Sequence, residues 1–224
     1  MRRILALFLC LLLLPLRASA AQTKYVALTF DDGPSGRYTR QLLEGLRERS
    51  AQATFLLCGY RIAQYPQLTE QILREGHEIG IHGYSHAAMK DMSRRDVARE
   101  IEDTQVLLPD GCGVRFLRPP GGFSSDAVRQ VAKAKQLAIL SWSVDPRDWA
   151  TTNASAIEKA VLDKVKDGDV ILLHDMSDSS VRAALHIIDT LRNRGFRCVT
   201  VSELARLRDV RLQPGKSYCR FPKE

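Results

Sequence analysis

Tyr25-Val26-Ala27-Leu28-Thr29-Phe30-Asp31-Asp32-Gly33-Pro34 reads as a strand that runs straight into two acids and stops at a Gly-Pro turn. Such a strand places both acids at a sheet edge. Successive side chains on a strand point to opposite faces, so adjacent acids normally diverge. At a turn they can diverge just enough for one to hold a metal and the other a proton. Alone, Asp-Asp-Gly is equally the composition of a solvated turn. Further along, His82 and His86 stand at i, i+4 and supply the remainder of a two-His, one-carboxylate ligand set.

The chain around this stretch alternates short β-like runs with helical ones. The strand candidates are 25–30, 53–57, 77–81, 116–118, 138–143, 169–174 and 196–201. Amphipathic helical stretches fall at 38–49, 65–75, 93–108, 125–135, 154–166 and 181–194. Ser93 with Asp96 suits a helix start. Gly76, Gly168 and Gly195 each follow a helical run and suit a C-terminal cap. This alternation implies βαβ units and a parallel sheet, as an incomplete barrel or an open sheet. Asp31, Asp32, His82, Arg118, Asp145, Asp148 and His174 all fall at or just after the C-terminal ends of the expected strands. In a barrel, that rim carries the active site.

Residues 1–20 carry Arg2 and Arg3, an apolar run from Ile4 to Leu14, and Ala18-Ser19-Ala20. This is the pattern of a cleaved export signal, with an uncleaved anchor as the alternative. Cleavage leaves about 200 residues, one domain with a sizeable core. Losing Arg2, Arg3 and Arg17 lowers the formal charge from +7 to +4. That mild excess favours an anionic surface such as a cell wall. Basic stretches interleaved with stacking aromatics are missing, so nucleic acid is not an expected partner. A monomer without a transmembrane segment, secreted or held in the envelope, is expected. Arg206, Arg208, Arg211, Lys216, Arg220 and Lys223 form a basic tail, expected to be solvated. Cys58, Cys112, Cys198 and Cys219 allow one or two disulfides with no pairing preferred, or a buried free thiol at Cys58.

Four residues make just over one helical turn, so His82 and His86 can face one point. With one carboxylate they suit zinc or a similar divalent ion, with positions left for water and substrate. Arg118-Pro119-Pro120-Gly121-Gly122 ends another strand. Its arginine suits holding a carboxylate ionised or making a structural ion pair, and its glycines let backbone approach a ligand. The Gly121 amide is a candidate oxyanion donor. Ser143-Val144-Asp145-Pro146-Arg147-Asp148-Trp149 supplies a carboxylate that can orient an imidazole, and an aromatic that is a pocket wall or core. Val170-Ile171-Leu172-Leu173-His174 is an apolar strand with His174 at its tip, on the same face as Leu172. On that rim His174 suits a general acid. His77 and His186 lack such company.

Together these segments resemble the NodB-like polysaccharide deacetylases, the family 4 carbohydrate esterases, across the whole mature chain. The resemblance implies a distorted (β/α) barrel of about seven strands in one α/β domain, removing N-acetyl or O-acetyl groups from sugars. It implies Asp31 as general base and Asp32, His82 and His86 as ligands of a divalent metal, zinc foremost and cobalt also accepted. It implies Arg118 as the partner of Asp31, Asp148 as the residue orienting His174, and Trp149 and Leu172 as walls around the acetyl methyl. Gly83 departs from the family's Ser or Thr, which loosens the expected support of the metal loop. Gly121 departs from the family's aromatic, which leaves the backbone contact but removes a wall of the sugar groove.

The expected activity is metal-assisted hydrolysis of the acetamido group of an acetylated glycan, peptidoglycan or chitin-type oligomers before acetylated exopolysaccharide or xylan. The alternatives are a non-catalytic glycan-binding module on the same fold and an amidohydrolase acting on a small non-sugar amide. A phosphatase is disfavoured because no Gly-rich phosphate loop accompanies the acids.

Overall fold

The computed structural model describes residues 23–223, and the expected export signal lies outside the described residues. In chain order the elements are β1 (Lys24–Asp31), α1 (Arg37–Glu48), β2 (Thr54–Leu57), α2 (Gly59–Gln64), α3 (Pro66–Arg74), β3 (Glu78–Ile81), α4 (Arg94–Gln105), β4 (Phe116–Leu117), α5 (Asp126–Ala134), β5 (Ala138–Leu140), α6 (Ala154–Leu162), β6 (Val170–His174), α7 (Asp178–Asn193), β7 (Phe196–Cys198), α8 (Val201–Leu207) and β8 (Ser217–Tyr218). The strands pair in parallel in the order β6-β1-β2-β3-β4-β5-β8, and β7 lies beside the start of β1. Beyond β5 the chain turns to meet β6: Ser143 N donates to Val170 O at 3.0 Å and Leu172 N to Val144 O at 2.9 Å. The sheet therefore curls into the expected distorted barrel within a single domain.

Strands covered on both faces read as continuous apolar runs, and β2 is buried throughout. Val26, Leu28 and Phe30 of β1 share a core with Leu42 and Leu46 of α1, Ile157 of α6 and Ile187 of α7. Phe30 and Phe55 stack with ring centroids 5.4 Å apart. A second cluster joins Phe116, Leu140, Val201, Leu204 and Phe221, and a third joins Ile81 and Ile139 to α4 and α5. Fully burying each such side chain contributes about 1.5–3 kcal/mol before entropy is counted. Ser93, Ser125, Asn153, Ser177 and Thr200 cap α4 to α8, each accepting the amide three residues on.

The structure departs from the sequence pattern in four places. The run 196–201 stops as a strand at Cys198, because Thr200 caps α8. The short α2 carries too few turns to show a helical period. Gly168 is not a helix cap: α6 ends at Leu162, and a Cβ on Gly168 would collide with the carbonyl of Phe221. Nor is the tail a solvated one. Ser217–Tyr218 pairs with β5, Phe221 is buried, and Arg208 and Arg220 pair with Asp167 and Asp169. Cys58, Cys112, Cys198 and Cys219 are unpaired thiols, so strand pairing and packing hold the tail. Among the described residues no helix is long and apolar enough to cross a membrane.

Candidate active site

Asp31 on β1 and His174 on β6 occupy the same register position on adjacent parallel strands. Their side chains therefore point to one face at the C-terminal rim. Asp32, next along, has φ 73°, in the left-handed region. That reversal breaks strand alternation and lets two adjacent carboxylates serve one site. A non-glycine residue there carries strain of about 1–3 kcal/mol, a cost typical of functional sites.

Arg118, fully buried, organises the floor. Its Nη1 donates to Asp31 Oδ1 at 2.6 Å and to Thr29 Oγ1 at 2.8 Å. Its Nε donates to Leu140 O at 3.3 Å and its Nη2 to Ser141 O at 3.1 Å. A buried guanidinium with this set of acceptors fixes the Asp31 carboxylate in one orientation.

The Arg118 carbonyl has a second task. His82 Nδ1 lies 2.6 Å from it. A carbonyl only accepts, so Nδ1 donates and the neutral ring keeps its Nε2 lone pair free. That Nε2 faces Asp32 Oδ1 at 3.3 Å, and His86 Nε2 faces the same oxygen at 3.1 Å. Asp32 Oδ1 is nonetheless buried without a hydrogen-bond partner. Ligand atoms of Asp32, His82 and His86 all lie within 4.8 Å of one another. Two imidazole nitrogens converging on an orphaned carboxylate oxygen fit a divalent cation, with the backbone contact to His82 as the outer support such ligands use. Burial works to raise the Asp32 carboxyl, but the facing His82 and His86 hold it well below the ordinary carboxylate range. His86 is raised in turn, by its contact with Asp32 acting against burial.

His174 lines the same cleft as Asp32. Burial disfavours its charged form, but Asp148 accepts from Nδ1 at 2.8 Å, and the ring is pushed up to about 9. The other Asp148 oxygen accepts the His174 amide at 2.8 Å, which locks the pair. A cleft of about 610 Å³ opens over Asp32, Asp148, Trp149 and His174. Trp149 is exposed, with the Arg147 guanidinium 5.2 Å from its ring centroid. Leu172 is buried on β6, two residues before His174. Gly121, at φ 72°, lies in the loop leaving Arg118, and a Cβ there would touch the Phe123 ring at 3.4 Å. Asp145 does not join the cluster; it accepts the Arg147 amide at 2.7 Å within its own turn.

Two acids escape a sequence reading. Glu100 on α4 accepts the Tyr84 and Ser85 amides at 2.7 and 2.9 Å and the Ser85 hydroxyl at 2.7 Å. The loop bearing His82 and His86 is thus supported from a neighbouring helix despite Gly83. That glycine sits at φ 83°, and a Cβ on it would press on Met89 and Glu100. Asp175, fully buried, is pushed up to about 6 by burial and takes a hydrogen bond from Thr39. A Cβ on Gly33 would meet Asp175 Oδ1 at 2.7 Å, so the turn after the paired acids rests directly on it. The adjacency of Asp175 to His174 was the one available signal.

The polysaccharide deacetylase family matches residues 18–140 of this chain. A peptidoglycan-N-acetylglucosamine deacetylase of Bacillus cereus is 41% identical over 189 residues, covering 82% of this chain and 89% of that protein. A chitooligosaccharide deacetylase of Sinorhizobium fredii is 36% identical, covering 76% of this chain and 87% of that protein. Among solved structures, a family 4 acetyl xylan esterase from Clostridium thermocellum in complex with a cobalt ion superposes with a TM-score of 0.82 at 33% identity. The match covers 89% of this chain and all of that one. The chain belongs to the polysaccharide deacetylase family, the hydrolases grouped as NodB-like family 4 carbohydrate esterases.

Proposed function

We propose that this chain removes N-acetyl groups from glycans containing GlcNAc or MurNAc, of peptidoglycan or chitin type, in a metal-assisted hydrolysis at the cell envelope. The observation that carries the reading is the gathering, at one rim, of two locked groups, Asp31 on Arg118 and His174 on Asp148, beside the Asp32, His82 and His86 donor set. Those three residues would hold a divalent ion, zinc before cobalt given two imidazoles and one carboxylate. When bound, such an ion supplies Lewis acidity toward the acetyl carbonyl and lowers the pKa of water.

Asp31 takes the proton of the attacking water. The Gly121 amide donates a hydrogen bond to the oxygen on which negative charge develops. His174, kept protonated by Asp148, passes its proton to the departing sugar nitrogen. Trp149 and Leu172 flank the acetyl methyl. The products are acetate and a free amine on the sugar. A binding-only module would not need both an anchored carboxylate and a raised imidazole.

Acetate release by the purified chain, zinc-loaded and metal-stripped, is the test, with GlcNAc oligomers and peptidoglycan fragments assayed in parallel and bound metal counted. Zinc-dependent release supports the reading. No release from either substrate at one equivalent of bound zinc overturns it.

A further inference from the structure

A group of cations gathers at the end of the barrel away from the catalytic rim. Arg115 stands immediately before β4, Gln136 just before β5 and Lys216 immediately before β8. These strands run parallel, so their entries share one end of the sheet, and Arg118, just past β4, marks the other. A cleft of about 690 Å³ opens between this end and α8, lined by Arg115, Arg206 and Arg211. A second cleft, of about 680 Å³, lies against α5 and is lined by Arg129, Lys133 and Lys216. Gln136, Gln213 and Pro214 line both, so the two clefts adjoin as one groove, and no acid lines either.

Half of this charge is uncompensated. Arg206 pairs with Glu203, Arg129 pairs with Asp126, and Lys216 lies 5.7 Å from the centroid of the Tyr218 ring. Among the described residues Arg115, Lys133 and Arg211 make no ion pair, and all three are exposed. Elsewhere exposed cations pair within their own helix, as Lys159 does with Asp163 and Arg182 with Asp178. Cations of one sign lining a cleft focus its potential and concentrate anions there.

The groove is preformed. Gly215 N donates to Leu137 O at 2.8 Å and Ile139 N to Lys216 O at 2.9 Å, which seats the tail on the entry to β5. A Cβ on Gly215 would lie 2.9 Å from Arg129 O, so the tail also packs closely on α5. Arg211 and Lys216 therefore stand on fixed backbone beside the cations of α5 and of the entry to β4.

What the groove has and lacks selects its occupant. None of the exposed large apolar side chains lines it, so a lipid surface finds no anchor there and a nucleic-acid base no stacking platform. A phosphodiester carries one full charge and two free oxygens on a tetrahedral centre. It can accept from both walls of a groove, and from guanidinium forks above all. We infer that this groove holds a linear phosphodiester polymer and tethers the chain with its catalytic rim facing away from that polymer. The tether goes beyond the deacetylase reading and stands or falls independently of it.

The test is calorimetric titration of the zinc-loaded chain with poly(glycerol phosphate) and with glycerophosphoglycerol, its diester unit. The polymer is expected to bind about tenfold tighter or more, because neighbouring charges engage together. Its affinity should fall by about tenfold or more between about 50 and about 200 mM salt. Arg115→Gln and Arg211→Gln should each weaken polymer binding by about threefold or more and flatten the salt dependence. Arg40→Gln removes the same charge from α1, outside the groove, and should change affinity by less than about twofold. No polymer binding at low salt overturns the tether, as does diester binding as tight as that of the polymer. An equal loss in all three variants also overturns it, since attraction to net charge would then suffice. Polyglutamate bound as tightly overturns the assignment to phosphate. Phosphatidylglycerol vesicles bound where the polymer is not overturn the tether in favour of a membrane surface.

Discussion

Asp31 and Asp32 are neighbours with different surroundings, and the difference sets what each can do. Asp31 is 3% exposed and clamped by a guanidinium, whereas Asp32 turns toward two imidazoles. Asp31→Asn is expected to lower kcat by about 10²–10⁴-fold while metal content by elemental analysis stays at one equivalent; retained activity would remove Asp31 from the role of base. Arg118→Ala is expected to cost about 3–5 kcal/mol in urea unfolding, because it strands a buried carboxylate. His174 allows a titration test in the metal-free chain, by NMR of its ring. The parent should titrate near the value of about 9 set by Asp148. In Asp148→Asn the hydrogen bond and charge of Asp148 are gone, and burial is opposed only by Asp31 and Asp32, so the midpoint should fall well below that of the parent. The folded value lies above the unfolded one. The pair's contribution to stability is therefore complete below the ordinary value of 6.5 and is lost as pH rises through about 9. The types of these side chains were readable in their motifs. Glu100 and Asp175 were not, because an acid that supports a loop from another element has no sequence spacing to betray it.

At the scale of elements, the segment 82–86 is neither strand nor helix, and its shape comes from contacts it receives. His86 sits at φ 62°, and Glu100 gathers two amides and a hydroxyl from residues between the histidines. The i, i+4 spacing suggested a helical turn, but the two rings converge through a left-handed bend instead. Glu100→Ala is expected to weaken zinc binding by about tenfold or more, in the range for loss of an outer support, with the circular dichroism spectrum unchanged. Zinc titration against a competing chelator measures it, and unaltered affinity would show that the loop holds its form without α4. The seven expected strands all form because β-branched and apolar runs bounded by helix caps leave few other states. The expected strand 196–201 ends early, at Cys198, because Val199 and Val201 extend the apolar run while the Thr200 cap starts α8.

At the scale of the whole molecule, the last residues close the barrel's lower core. Phe221 is buried beside Phe116, Leu140 and Leu204, and its amide donates to Gly168 O at 2.7 Å. Phe221→Ala is expected to cost about 3–5 kcal/mol in urea unfolding. A cost under 1 kcal/mol would mean that the tail is an accessory. The alternation of strands and helices, the rim positions of the chemical residues and their types were all determined by the sequence itself. Period, capping and strand length are local properties that a short window of residues settles. Only the tertiary structure decided that the tail is structural, that the carbonyl of Arg118 holds His82 while its guanidinium holds Asp31, and that Glu100 and Asp175 support the site from neighbouring elements. Each of those depends on contacts between residues far apart in the chain, and their geometry is set by packing and by a few left-handed backbone angles that no local pattern encodes.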